Sequence, residues 1–329
     1  MKYAIDYAPK EATIVIAWDE GVAQEIIELK TREEKMAFIE KLTEKDTLFM
    51  ELGGGGDRFV IGAIRKGTSI FRTPSFEVKK LREAKELPKE RTADVIQYLA
   101  QEKPRLFYSV QGIDENVAKL RIFARGYLLV QRKIRIAAEL RLDSIYRDLY
   151  LIEKLTGEVD EETYVKQKVA ESLIFRGADQ IEQEMLDEIK KLLPTIPAYE
   201  IFKQIPGCGP VIAGICIGEI GDIRRFPTEH TLVAYAGYHV TPEGKAVVRR
   251  KGKTANWNNN LRHAVWLFTS QTVEKLSPDS PWKAKLLTRK QREKQLHPDF
   301  SKIYIAKRAR RWLGNKLLRH IWNEWQKYI

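Results

Sequence analysis

Between Ile205 and Ala213 the chain reads IPGCGPVIA, running on as GICIGEIGDIRRF to Phe226. Gly207 and Gly209 flank one small residue, with a proline on either side of the group, and an apolar run rich in small residues follows. Such a turn of form apolar-x-Gly-x-Gly lets the backbone bend tightly. At the start of a helix it can bring backbone amides close to a phosphate. Ala213, Gly214 and Gly218 would let the following helix approach a neighbour, and Arg224 and Arg225 add a basic pair just beyond it. The two cysteines, Cys208 and Cys216, have neither the CxxC nor the Cys/His spacing of a zinc site and read as small core residues. The histidines, at 230, 239, 263, 297 and 320, show no HxxxH spacing and read as surface or packing residues.

Charge points to a polyanion. The 329 residues carry a net +12, yet residues 245–329 hold 21 Lys and Arg against 5 Asp and Glu, so this last quarter is basic and the rest slightly acidic. Six of the seven tryptophans (257, 266, 282, 312, 322 and 325) lie in the same quarter. Cations interleaved with flat rings suit nucleic acid, because phosphates gain from Lys and Arg while bases stack on aromatics. Candidate contacts are Arg249, Arg250, Lys251, Lys253 and Arg262, then Lys307, Arg308, Arg310 and Arg311 in AKRARRWLGNKLLRHIW.

The elements that must position these residues fall into three segments. In 1–104, KYAIDYA, ATIVIAWD and VAQEIIELK read as three successive strands, TREEKMAFIEKL as a helix and TLFMEL as a fourth strand, with helices near 74–84 and 91–101. That order is expected of an RNase H-like α/β domain. In 105–194, apolar side chains recur at intervals of three or four from Ile113 to Leu155, predicting one helix about 65 Å long at 1.5 Å per residue. TGEVD interrupts it at 156–160, and a second apolar series returns to Pro194, as in a helical hairpin or a dimer-forming coiled coil. Residues 195–329 form a basic, mostly helical third segment whose opening turn suggests a helix-hairpin-helix. No apolar run reaches the roughly 18 residues of a membrane span, and Met1 leads straight into a strand-like stretch, so a cytoplasmic protein without membrane contact is expected.

Residues 202–266, from FKQIPGCGP to LRHAVW, resemble the C-terminal domain of DEDD-type insertion-sequence transposases, a family that includes pilin-gene invertases and bridge-RNA-guided recombinases. The PGxGPxxA turn, EIGDxxRF, AxxG, a basic stretch and LRxA occur here in the family's order. The resemblance implies an RNase H-like (RuvC-like) DEDD domain in front, a coiled coil between, DNA and a structured guide-like RNA as partners, and a homodimer or higher oligomer. It also implies Mg²⁺ held by four acids. Asp6 and Glu51 match the first two and Asp94 the last, whereas the third falls on Arg91, which is expected to reach toward the carboxylates and weaken metal binding. The family's nucleophilic serine falls near Glu243, and no serine occurs between Ser172 and Ser270, leaving Thr241 as the nearest hydroxyl. A transposase-like nucleic-acid-binding protein with reduced or absent recombination chemistry follows. An active recombinase or nuclease using Asp6, Glu51 and Asp94, and an RNA-binding assembly scaffold, are the alternatives.

Overall fold

The computed structural model describes residues 1–8, 11–19, 22–52, 56–110, 115–152, 160–241, 245–248, 255 and 257–328. They divide into two compact units, Met1–Glu115 and Asn116–Ile329.

The first unit is built on a six-stranded mixed sheet. β1 (Lys2–Asp6), β2 (Thr13–Asp19) and β3 (Val22–Leu29) form an antiparallel meander, after which α1 (Arg32–Lys41) leads to β4 (Thr47–Glu51). Thr31 and Glu34 start α1 with a capping box, each side chain accepting the other's backbone N–H. α2 (Asp57–Arg65) crosses to β5 (Ser69–Thr73); α3 (Ser75–Ala84), α4 (Thr92–Glu102) and β6 (Tyr108–Ser109) complete the order β3-β2-β1-β4-β5-β6. β4 runs parallel to both β1 and β5, and β6 is antiparallel to β5. The four strands and the helices expected near 74–84 and 91–101 are present, and α2, β5 and β6 join them.

Alternation along the strands feeds two cores, one on each face of the sheet. Ile5, Val15, Leu48, Met50 and Ile70 pack with Phe38, Ile39, Phe59 and Val60 of α1 and α2. Ala4, Ile16 and Trp18 pack with Val78 of α3 and with Ala93, Ile96 and Leu99 of α4.

The second unit is helical. α5 (Glu115–Leu129) passes through a π-helical turn at Val130–Arg135 into α6 (Ile136–Ile152). The expected single long helix is thus helical throughout its described part, with residues 111–114 and 153–159 outside the described residues. The returning series is two helices, α7 (Glu161–Glu171) and α8 (Leu173–Leu192), because Ser172 takes extended dihedrals (φ −59°, ψ 131°) between them. α9 (Tyr199–Lys203), α10 (Pro210–Ile220), α11 (Glu229–Tyr235), α12 (Asn259–Leu267), α13 (Val273–Lys275), α14 (Pro281–Leu296) and α15 (Lys302–Gln326) follow.

α10 is apolar all round and buried from Ile212 to Ile220, as befits the central helix of a core. Its small residues permit close approach. A Cβ on Gly218 would sit 2.9 Å from the Arg121 Cα of α5, and one on Gly214 would sit 2.8 Å from Ile189 of α8. Cys216 is buried and Cys208 half-buried, both as free thiols; burial pushes Cys208 up to about 12, far from thiolate chemistry.

The glycine turn divides its labour. Gly207 has φ +80°, which favours glycine, and an added Cβ would collide with Thr272 Cγ2. The Cys208 N–H donates to Ile205 O and the Gly209 N–H to Gly207 O, so both amides are used inside the turn. Gly209 is the N-cap of α10, with φ −71° and no atom within 4 Å of the place a Cβ would take. Gly207→Ala is therefore expected to destabilise the chain by roughly 1–2 kcal/mol from the backbone alone, with Thr272→Ser recovering part of the added collision. Gly209→Ser is expected to be neutral or stabilising, since a hydroxyl there can cap α10. Urea unfolding of the three variants checks this, and equal losses at both glycines would refute it.

Candidate functional site

Asp6 ends β1 and Glu51 ends β4. These strands are adjacent and parallel, with Ile5 opposite Met50, so the two carboxylates emerge side by side at the carboxyl ends of the strands, where open α/β sheets bind ligands. Both are raised from their ordinary values. Burial is the main cause for Asp6, opposed by Lys89 and Arg82; burial and then the charge of Asp6 raise Glu51, opposed by the same two cations.

Asp94 does not join them in a ligand set. Arg91 Nε and Nη2 donate to the two Asp94 oxygens at 2.8 and 2.7 Å, so this arginine closes on its own neighbour instead of reaching toward the strand-end acids. The reason is local: Arg91 sits at the N-cap position of α4 and Asp94 in its first turn, three residues apart on one face. No group of three or more carboxylate, imidazole or thiol side chains placed to hold a metal forms among the described residues. Asp6 and Glu51 would be the two carboxylates to hold a Mg²⁺, with Lys89 and Arg82 opposing its charge.

In the second unit, α5, α12, α14 and α15 wall a cleft of about 1730 Å³. Its described lining holds twelve Lys and Arg and one carboxylate, Glu293. Aromatics are interleaved: Trp266 is exposed and stacks on His263 (5.7 Å between centroids, 19° between planes), and Trp312 lies under both Arg289 and Lys316. Arg132 can only donate to His263 Nδ1 (3.1 Å), so that nitrogen accepts; burial and then Arg132 push the imidazole down to about 4, and it is neutral.

One wall is fixed by Glu219 of α10, which is 2% exposed. Arg125 donates to both its oxygens at 2.7 and 2.8 Å, Asn258 Nδ2 to one at 2.7 Å and Asn260 Nδ2 to the other at 2.9 Å. Burial alone would raise this carboxyl, but the donors, Arg125 foremost, hold it below its usual value.

The expected nucleic-acid residues separate on inspection. Arg262, Lys307, Arg308, Arg310 and Arg311 all line the cleft. Arg225 is not in the described cleft lining: it is buried, donates to Glu219 O at 3.0 Å and stacks on Phe226 and Tyr235. Arg224 donates to Asp222 through Nε and Nη2, at 3.0 and 2.9 Å. Gly207 faces Thr272 rather than open space. Thr241 pairs with Lys245, its N–H donating to Lys245 O at 2.8 Å and its hydroxyl accepting from the Lys245 N–H at 3.3 Å. Arg249, Arg250, Lys251, Lys253 and Glu243 lie outside the described residues. Sequence reasoning missed Arg125, Arg132 and Lys133 as cleft residues; they are the charged positions between the apolar ones of the predicted long helix, a signal that reads equally as solvated surface.

For a carboxyl with a raised folded pKa, the charged form is penalised in the fold. Stability falls as pH rises from the ordinary carboxylate value through the raised one, and the cost persists at neutral pH. Asp6→Asn and Glu51→Gln are therefore expected to raise the unfolding midpoint at pH 7, with the gain fading as pH falls through about 4, the ordinary value at which the unfolded groups take up their protons. Thermal unfolding across pH tests this; a lower midpoint at pH 7 in both variants would refute it.

No curated protein matches the chain. Residues 199–284, which contain the glycine turn, α10, Glu219, Asn258, Asn260 and Arg262, match the family model described as Transposase IS116/IS110/IS902 family. That match supports an IS110-like transposase family, and with it a transposase or recombinase role that entails binding DNA.

Proposed function

We propose that this chain is a DEDD-type transposase-like protein that grips nucleic acid in the cleft of its second unit and whose strand-transfer chemistry is reduced or absent. The observation that carries the reading is the cleft itself, with twelve cationic side chains against one carboxylate and aromatic rings between them. The family match over residues 199–284 supports it. An RNase H-like (RuvC-like) first domain agrees with the strand order, in which β1, β4 and β5 are parallel and β2 is reversed.

Reduced chemistry follows from both candidate centres. The strand-end acids number two, with Lys89 and Arg82 beside them and Asp94 engaged by Arg91. The sequence holds no serine between Ser172 and Ser270, and the Thr241 hydroxyl accepts from the Lys245 N–H. Two copies of the chain meet through the helical hairpin in this reading, supported by Leu140, Ile145, Leu151 and Ile152 of α6 and Leu173 and Ile174 of α8, which are all exposed. A structured RNA is the expected second ligand beside DNA.

Fluorescence anisotropy of the full chain with duplex DNA and with a structured RNA, across a salt series, tests the binding. The log–log slope is expected to steepen by about 0.9 for every phosphate engaged on duplex DNA. No binding, or binding indifferent to salt, would sink the reading. On denaturing gels no covalent protein–DNA adduct is expected with Mg²⁺ present; an adduct mapped to Thr241 would show that strand transfer survives.

A further inference from the structure

The cleft arginines fall into two classes. Arg125, Arg289, Arg308, Arg310 and Arg319 each donate to a carboxylate: Glu219 for the first, Glu293 for the next two, Glu274 and Glu229 for the last two. Their charge is compensated within the fold. Arg132, Arg262 and Arg311 have no such partner among the described residues, Arg132 donating instead to His263 Nδ1. Arg262 lies over the Trp257 ring at 4.4 Å and donates to Val247 O at 3.5 Å, while its Nη1 is buried against Gly237 without an acceptor among the described residues. Arg311 donates to the His239 carbonyl at 3.2 Å.

These groups also crowd one another. Arg311 is held below its ordinary value by burial and then by Arg262, and His239 is pushed down by burial, Arg311 and Arg262 in turn. Arg262 is on α12 and Arg311 on α15, so the fold, not sequence proximity, brings the two cations together. Half-buried guanidiniums without a counter-charge are unfavourable, and a bound anion removes the penalty. A planar guanidinium fixed on an indole face is suited to two-pronged recognition of phosphate oxygens.

We propose that Arg262 and Arg311 form a phosphate-binding subsite in the cleft, occupied by one backbone phosphate of a nucleic-acid strand, while the acid-paired arginines shape the walls around it. The subsite rests on the reading of the cleft as a nucleic-acid interface, and the experiment separates the two.

The full chain is compared with Arg262→Gln/Arg311→Gln and with a charge-matched Lys190→Gln/Lys203→Gln variant whose changes lie outside the cleft lining. Two measurements are made: the salt dependence of oligonucleotide binding, and the thermal midpoint in inorganic phosphate against chloride at equal ionic strength. The arginine variant is expected to lose about 0.9 from the log–log slope on duplex for the one phosphate released, and the lysine variant to keep the wild-type slope. Phosphate is expected to raise the midpoint of the wild type and the lysine variant but not that of the arginine variant. In chloride the arginine variant is expected to melt no lower than wild type, because it removes uncompensated charge; a purely structural pair would lower the midpoint. If the wild type binds no oligonucleotide while its phosphate response is abolished in the arginine variant, the anion site stands as one for free phosphate and the nucleic-acid reading fails. Wild-type slope together with a wild-type phosphate response in the arginine variant overturns the subsite.

Discussion

The second unit depends on a single buried carboxylate. Glu219 sits on α10, the helix most completely enclosed by the core, and draws donors from α5 through Arg125 and from the start of α12 through Asn258 and Asn260. Its backbone carbonyl also accepts from Arg225 and, at 3.4 Å, from the Tyr235 hydroxyl. Asn258 works twice. Its Oδ1 accepts from the Leu261 N–H and so caps α12, while its Nδ2 holds Glu219 and Tyr235. Arg125 is itself 46% exposed, but removing it would leave a buried carboxylate without its charged donor, which is unfavourable. The position of Arg262 in the cleft is thus referred, through the cap of its helix, to an acid in the core.

Charge in the last quarter of the sequence is spent in two ways. Glu274 gathers Lys283, Lys290 and Arg310, and Glu293, 1% exposed, gathers Arg289 and Arg308. These acids fasten α14 and α15 together and set the spacing of the cationic wall. Lys307 and Lys316 are exposed on α15, and with Arg262 and Arg311 they supply charge that no described carboxylate balances. Net charge counted along a sequence cannot separate structural cations from available ones, because for Arg308 and Arg310 the distinction rests on acids 15 and 36 residues away.

Much of the fold is legible in the sequence. Alternating apolar strands, the helix of TREEKMAFIEKL and the three-and-four spacing from Val117 onward have local causes and appear as expected. The stretch 57–73 escapes such reading, since α2 follows a run of glycines and β5 is the short SIFRT. Site residues are legible by type but not by role. Arg224 and Arg225 are neighbours in sequence, yet one faces Asp222 and the other is enclosed by Phe226 and Tyr235. Likewise the positive φ of Gly207 follows from the turn, whereas the methyl of Thr272 that fills its open side comes from 65 residues downstream. Asp94 matches a ligand position, but an arginine three residues earlier in the same turn has the shorter path to it.

The span of the helical core also governs how the chain is made. Its buried residues run from Val117 to Trp325, and Phe202 meets Trp325 edge to face, so the core draws on both ends of the second unit. The first unit, whose sheet and both cores are complete by residue 115, can fold while the remainder is still being synthesised. At about 5–20 residues per second, roughly ten to forty seconds separate the emergence of α5 from that of α15. Once α10 emerges, the apolar core it belongs to stays open until α15 follows, whereas Glu219 already has Arg125 behind it and gains Asn258 and Asn260 before α15 is made.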